Sequence, residues 1–168
     1  MKNSIKILGL VILFFVGITN INAQKCTSEK DPITGETTKK ADAVAIFDWE
    51  KGVSVTFNKV SEEYYIDVVI GIAGYSGDIL TSDDEFIIKL ADGKIITFKT
   101  KENVNPILMP YARSSYTCKF SVSKEELQNM AKSNLTFIRF SISNKTFDLT
   151  PSEKDKKRIV KAATCILQ

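Results

Sequence analysis

The chain contains no histidine. That removes Ser-His-Asp and Cys-His catalysis, imidazole metal ligands and an imidazole proton shuttle. Carboxylate-pair chemistry, a Ser-Lys pair or an oxygen-ligated calcium site is what the residue types leave open. Asp67 lies inside the longest expected strand, Tyr64–Ile72, and is the candidate for a pair with Glu62, Glu63 or Asp48. Glycoside chemistry would need such a pair at a defined separation. An Asp at a sheet edge, or one paired to Arg139 of a neighbouring strand, is the plainer expectation. Asp78 and Ser82-Asp83-Asp84-Glu85 gather four acids in one loop region. The spacing is not that of a D-x-D-x-D-G calcium loop, so a solvated lead-in to a hairpin is favoured. The expectation is a non-enzymatic chain with no catalytic residue, metal or cofactor.

Binding residues stand out more than reactive ones. Residues 100–115 include Asn105-Pro106-Ile107-Leu108-Met109-Pro110-Tyr111-Ala112-Arg113. Long loops in compact domains are often functional. Leu108, Tyr111 and Arg113 are therefore the candidate ligand or partner residues. The alternative is that the loop folds back over an open end of the fold. Trp49, Tyr75 and Tyr111 fall at expected turns, where a flat ring can stack on a sugar face; a carbohydrate-binding module is the alternative function. A carboxylate hydrolase without histidine is a further, weaker one. Lys154, Lys156, Lys157, Arg158 and Lys161 give one C-terminal segment a basic face, read as solvated rather than as a polyanion site.

Three cysteines remain to be placed. Cys118 shares a strand face with Tyr116, Phe120 and Val122, since side chains alternate, and reads as a small buried hydrophobe. Cys26 and Cys165 lie near the two ends, and a bridge between them is expected in an oxidising compartment. No C-x-x-C spacing supports zinc.

These residues need elements to hold them. Alternating or continuous apolar runs mark strands at Ala43–Asp48, Val53–Phe57, Tyr64–Ile72, Glu85–Leu90, Lys94–Lys99, Tyr116–Val122, Leu135–Ile142 and Thr146–Leu149. Asp92-Gly93 is a hairpin signal. Ser123-Lys124-Glu125-Glu126 and Thr150-Pro151-Ser152-Glu153 are two capping boxes, opening a short helix and an amphipathic C-terminal one. Several strands are apolar on both faces and need two layers of partners. The pattern predicts a mainly β fold: an antiparallel β-sandwich, immunoglobulin-like in size, with the short helix and the C-terminal helix packed on it. Residues 24–42 are polar and turn-rich and read as a loosely docked lead-in to a single domain over 43–168.

Lys2 and Lys6 precede the apolar run Ile7–Ile18, and a short polar stretch then ends at Asn22-Ala23. That is the layout of a cleaved signal peptide over 1–23, too short for a membrane span. It makes the chain exported: periplasmic, secreted or surface-associated, with no transmembrane segment after cleavage. The signal holds two of the 23 basic residues and no acid, so against 20 acids the remainder carries +1. Nucleic acid, which wants a clustered basic face, is not an expected partner.

From Phe86 to Leu167 the order is a strand, the Asp92-Gly93 hairpin, a strand feeding Ser123-Lys124-Glu125-Glu126-Leu127, then Leu135-Thr136-Phe137-Ile138-Arg139-Phe140 and a helix ending near a cysteine. This resembles small uncharacterised exported proteins of Gram-negative bacteria. The resemblance implies export and a mainly β fold, and no activity. The function expected is a binding or structural module of the cell envelope, with an envelope protein or a glycan as partner.

Overall fold

The computed structural model describes residues 25–74 and 77–168. The expected signal peptide and Tyr75 lie outside the described residues. Eleven strands and two helices follow in order: β1 Cys26–Lys30, β2 Thr37–Ala41, β3 Val44–Phe47, β4 Lys51–Val60, β5 Glu63–Ala73, β6 Glu85–Leu90, β7 Ile95–Lys99, β8 Ile107–Met109, β9 Arg113–Val122, α1 Lys124–Lys132, β10 Leu135–Ile142, β11 Lys145–Leu149 and α2 Glu153–Leu167. The fold is the expected mainly β, antiparallel sandwich with a short helix and a C-terminal helix.

The large sheet runs β1-β2-β4-β5-β9-β8. One edge of β4 is shared: β3 pairs its first half, through Val44↔Val55, and β2 its second, through Lys40↔Asn58. The small sheet runs β11-β10-β6-β7. Alternation in β5 sends Tyr64, Ile66, Val68, Ile70 and Ile72 inward, and β9 does the same with Ser114, Tyr116, Cys118, Phe120 and Val122. They meet Phe86, Ile88, Ile138 and Phe140 of the small sheet in one continuous core. Burial of Cys118 pushes its thiol up to about 11, so it stays protonated at neutral pH.

Both helices cover the rest of that inner face. Ile159, Ala162, Ala163 and Ile166 of α2 enter the same core, and α2 packs on α1 and on β1 to β4. The C-terminal helix thus lies beside the small sheet, not on the outer face. Ser123 caps α1 with a full capping box. The cap of α2 is Ser152, which accepts from Asp155 N–H; the expected Thr150 box is shifted by two residues because Pro151 is buried ahead of the helix.

Three strands were not expected. The polar lead-in folds as the β1–β2 hairpin, and residues 107–109 of the long loop form β8. All three are edge or near-edge strands, so most of their side chains stay in water and the apolar alternation that marks a strand is missing. The hairpin at Asp92-Gly93 forms as read, with Gly93 at φ +88°.

Gly52 is fixed by a close approach. A Cβ there would lie 2.5 Å from Phe47 Cβ and 3.1 Å from the Ile46 carbonyl oxygen. Gly52→Ala is expected to cost about 1–3 kcal/mol, read by urea unfolding. Phe47→Ala should not relieve it, because the clash is with Cβ.

Candidate functional site

One end of the sandwich gathers the turns that carry the exposed rings. There β3 ends and β4 begins, β5 ends, β8 ends and β9 begins. Among the described residues, ten large hydrophobic side chains remain exposed, and six of them, Phe47, Trp49, Ile107, Leu108, Met109 and Tyr111, sit on this end. Clustered apolar exposure marks a contact surface, whereas scattered exposure does not.

The turns are pinned. Asp48 Oδ1 accepts from the N–H groups of Glu50 and Lys51, both at 2.9 Å. The Lys51 N–H, and after it the Glu50 N–H, hold the Asp48 carboxyl below the usual carboxylate range. The Asp48 N–H donates to the Lys51 carbonyl, and the Ala73 N–H to the Glu50 carbonyl at 2.6 Å. Trp49, 78% exposed, is carried on this clamp. Its carbonyl accepts from the Arg113 guanidinium at 3.2 Å, tying the β3–β4 turn to the start of β9.

The β8–β9 turn is held from the same centre. The Gly74 N–H donates to the Ala112 carbonyl, and Ser114 Oγ donates to the Gly74 carbonyl. Tyr111 and Ala112 both have positive φ, at 63° and 52°. Non-glycine residues there are strained, and such strain persists where the surroundings impose it. The result is Tyr111 held 95% exposed.

Two surfaces meet at this rim. On the outer sheet face a transverse row runs Phe47, Gly52, Gly71, Ser115, Ile107. A Cβ on Gly71 would meet nothing within 4 Å, so the row is a flat floor between Phe47 and Ile107. Between the two sheets, a groove of about 480 Å³ opens under Trp49. Trp49, Glu50, Ile72 and Gly74 line one side; Asp78, Lys145 and Phe147 line the other. Lys145 Nζ lies 2.9 Å from Asp78 Oδ2, and that bond raises the lysine above its ordinary value.

The sequence candidates separate cleanly against this geometry. Leu108, Tyr111 and Arg113 all lie on the rim, though as a short strand and a tight turn rather than a loop. Trp49 joins them across the Arg113 bond. Asp67 does not: it sits on the outer face of β5, accepting from Asn58 Nδ2 at 2.8 Å. Glu63 is four residues away on the same strand face, about 13 Å by strand rise, and bonds Tyr65 OH. The expected Asp67–Arg139 pair is corrected. Arg139 belongs to β10 in the other sheet and makes a bidentate pair with Asp148 of β11 at 2.7 and 2.8 Å. The acidic loop also disperses. Asp84 is buried and accepts from Thr81 N–H, Glu85 pairs with Lys99, and Asp78 with Lys145. Among the described residues no group of acids could hold a metal ion. Cys26 and Cys165 are joined, with Cα atoms 6.1 Å apart, and Cys118 is free.

Glu50, Lys145 and Phe47 escaped the sequence reading. Phe47 had a signal: Ile46 and Phe47 are adjacent in a strand and cannot share one face. Lys145 had none, since only the closing of the two sheets brings it opposite Trp49. The chain matches no family model, no curated protein and no solved structure. Among the described residues, no helix is long and apolar enough to cross a membrane.

Proposed function

We propose that this chain is a non-enzymatic exported binding module of the cell envelope that works through the rim carrying Trp49, Leu108, Tyr111 and Arg113. The observation that carries this is the gathering of exposed apolar side chains on turns pinned by backbone hydrogen bonds. Leaving Trp and Tyr in water on a rigid mount gives a ready contact surface with little left to order on binding. The carboxylates support the non-enzymatic part. A general acid must be kept protonated by burial or a like charge. Glu50 is open to solvent, and Asp78 is held in an ion pair with Lys145 at 2.9 Å. The Cys26–Cys165 bridge fits export into an oxidising compartment.

Co-sedimentation with envelope fractions tests this. Wild type is expected to pellet with the envelope. Leu108→Ser/Tyr111→Ser should stay in the supernatant while its stability moves by less than about 0.5 kcal/mol, because neither side chain is buried. A destabilised double variant would mean these residues are packing, and an equally retained one would mean the rim is not the contact.

A further inference from the structure

We propose that the groove under Trp49 takes a neutral saccharide, with the pyranose face on the indole and its hydroxyls on Glu50 and the Asp78–Lys145 pair. This rests on the rim being a binding surface and names what binds there.

Three features select the ligand class. The first is the ring itself. Trp49 is one of the most exposed large side chains, yet its turn is held by the Asp48 carboxylate, the Arg113 guanidinium and the Ala73 N–H. A flat apolar face carried on a fixed turn suits a ligand with a flat apolar face of its own. The second is the polar set in the groove: a carboxylate at Glu50, a carboxylate at Asp78 and an ammonium at Lys145. Bases do not outnumber acids, so a phosphate, an anionic lipid or a nucleic acid finds no electrostatic advantage. A wholly apolar ligand would strip water from these charges with nothing in exchange. Hydroxyl groups both donate and accept, and they satisfy carboxylate and ammonium together. The third is size. A space of about 480 Å³ lies inside the range of small-molecule sites, and Trp49 is part of its wall. Arg113, two residues from Tyr111, bonds the Trp49 carbonyl, so the turns that carry the two rings are tied together. An oligosaccharide with one unit in the groove then has Tyr111, on the neighbouring turn, as the exposed ring for a later unit.

Trp49 is the single tryptophan of the chain, so its emission reports this site alone. Titration of the full exported chain with cellohexaose, chitohexaose and mannohexaose is expected to shift or quench that emission saturably for at least one of them. Bound sugar should also shield Trp49 from acrylamide. Lys145→Ala and Tyr111→Ala are expected to weaken binding by about tenfold each. Trp49→Ala, followed by calorimetry, should abolish it, and Trp49→Phe should restore part of it. No emission change with any of the three sugars overturns the inference, as does undiminished binding by Trp49→Ala. Should the sugars fail while envelope retention still depends on Leu108 and Tyr111, only the ligand class falls. Should both fail, the rim is not a binding surface.

Discussion

Replacing Cys26 and Cys165 together by serine is expected to lower the unfolding free energy by about 3–5 kcal/mol. The bridge closes a loop with a sequence separation of 139, nearly the whole described chain. Most of the gain is entropy removed from the unfolded ensemble, and it rises with loop length. A local effect adds to it. β1 pairs only with β2, and its side chains contribute nothing to the core. Its other attachment is Cys26 reaching Cys165 on the inner side of α2. Without the bridge the β1–β2 hairpin should open before the rest, in the manner of a weakly held edge. Urea unfolding of the double serine variant measures the first part. Hydrogen exchange measures the second: amides of 26–30 should lose protection while those of β5 and β9 keep theirs. Full retention of β1 protection in the variant would mean that pairing with β2 suffices. Cys118 does not confuse the result, since its buried thiol is protonated and out of reach.

The same hairpin shows where sequence reasoning stops. Strands with one face in the core were legible because the alternation is a direct record of burial; Ile66, Val68 and Ile70 could be assigned from their spacing. Thr37 to Lys40 could not. They lie one strand in from the edge, where hydrogen bonding to β1 and β4 makes the strand and burial does not. The rim was half legible for a related reason. Leu108, Tyr111 and Arg113 are apolar or charged residues in a proline-punctuated stretch, a local signal. The groove is made by Trp49 of one sheet and Lys145 of the other, 96 residues apart in sequence. No local pattern carries a contact of that kind. Arg139 failed in the opposite way. Its partner Asp148 is a register neighbour across the β10–β11 hairpin. The Asp67–Arg139 pairing rests on chemistry alone, and those two residues lie on the outer faces of different sheets.

Phe120→Ala is expected to cost about 3–5 kcal/mol, the range for emptying a buried aromatic site. Phe120 stands where the sheets meet. Its ring stacks on Phe86 of β6 at 5.8 Å and lies 5.4 Å from Phe98 of β7. Both partners belong to the small sheet, whereas Phe120 belongs to the large one, so its ring is part of what joins them. Relaxation into the hole is limited. β9 is paired to β5 along its whole length, and β6 is paired on both edges, so neither backbone can move in without breaking its ladder. A small void of about 10 Å³ already borders Ile70, Leu80, Phe86 and Phe120, and the truncated site would merge with it. Phe120→Leu keeps most of the volume and should cost clearly less, which separates a cavity effect from a general intolerance of change. A loss below about 1 kcal/mol for the alanine variant would show that the sheets close over the gap after all. Position matters as much as magnitude. Phe120 lies seven residues along β9 from Arg113, about 24 Å by strand rise, and faces inward. Trp49 emission and envelope retention should therefore be unchanged in Phe120→Ala under conditions where it remains folded. If they change, the rim is coupled to the joint between the sheets. The groove under Trp49, whose walls come from both sheets, would be the structural reason.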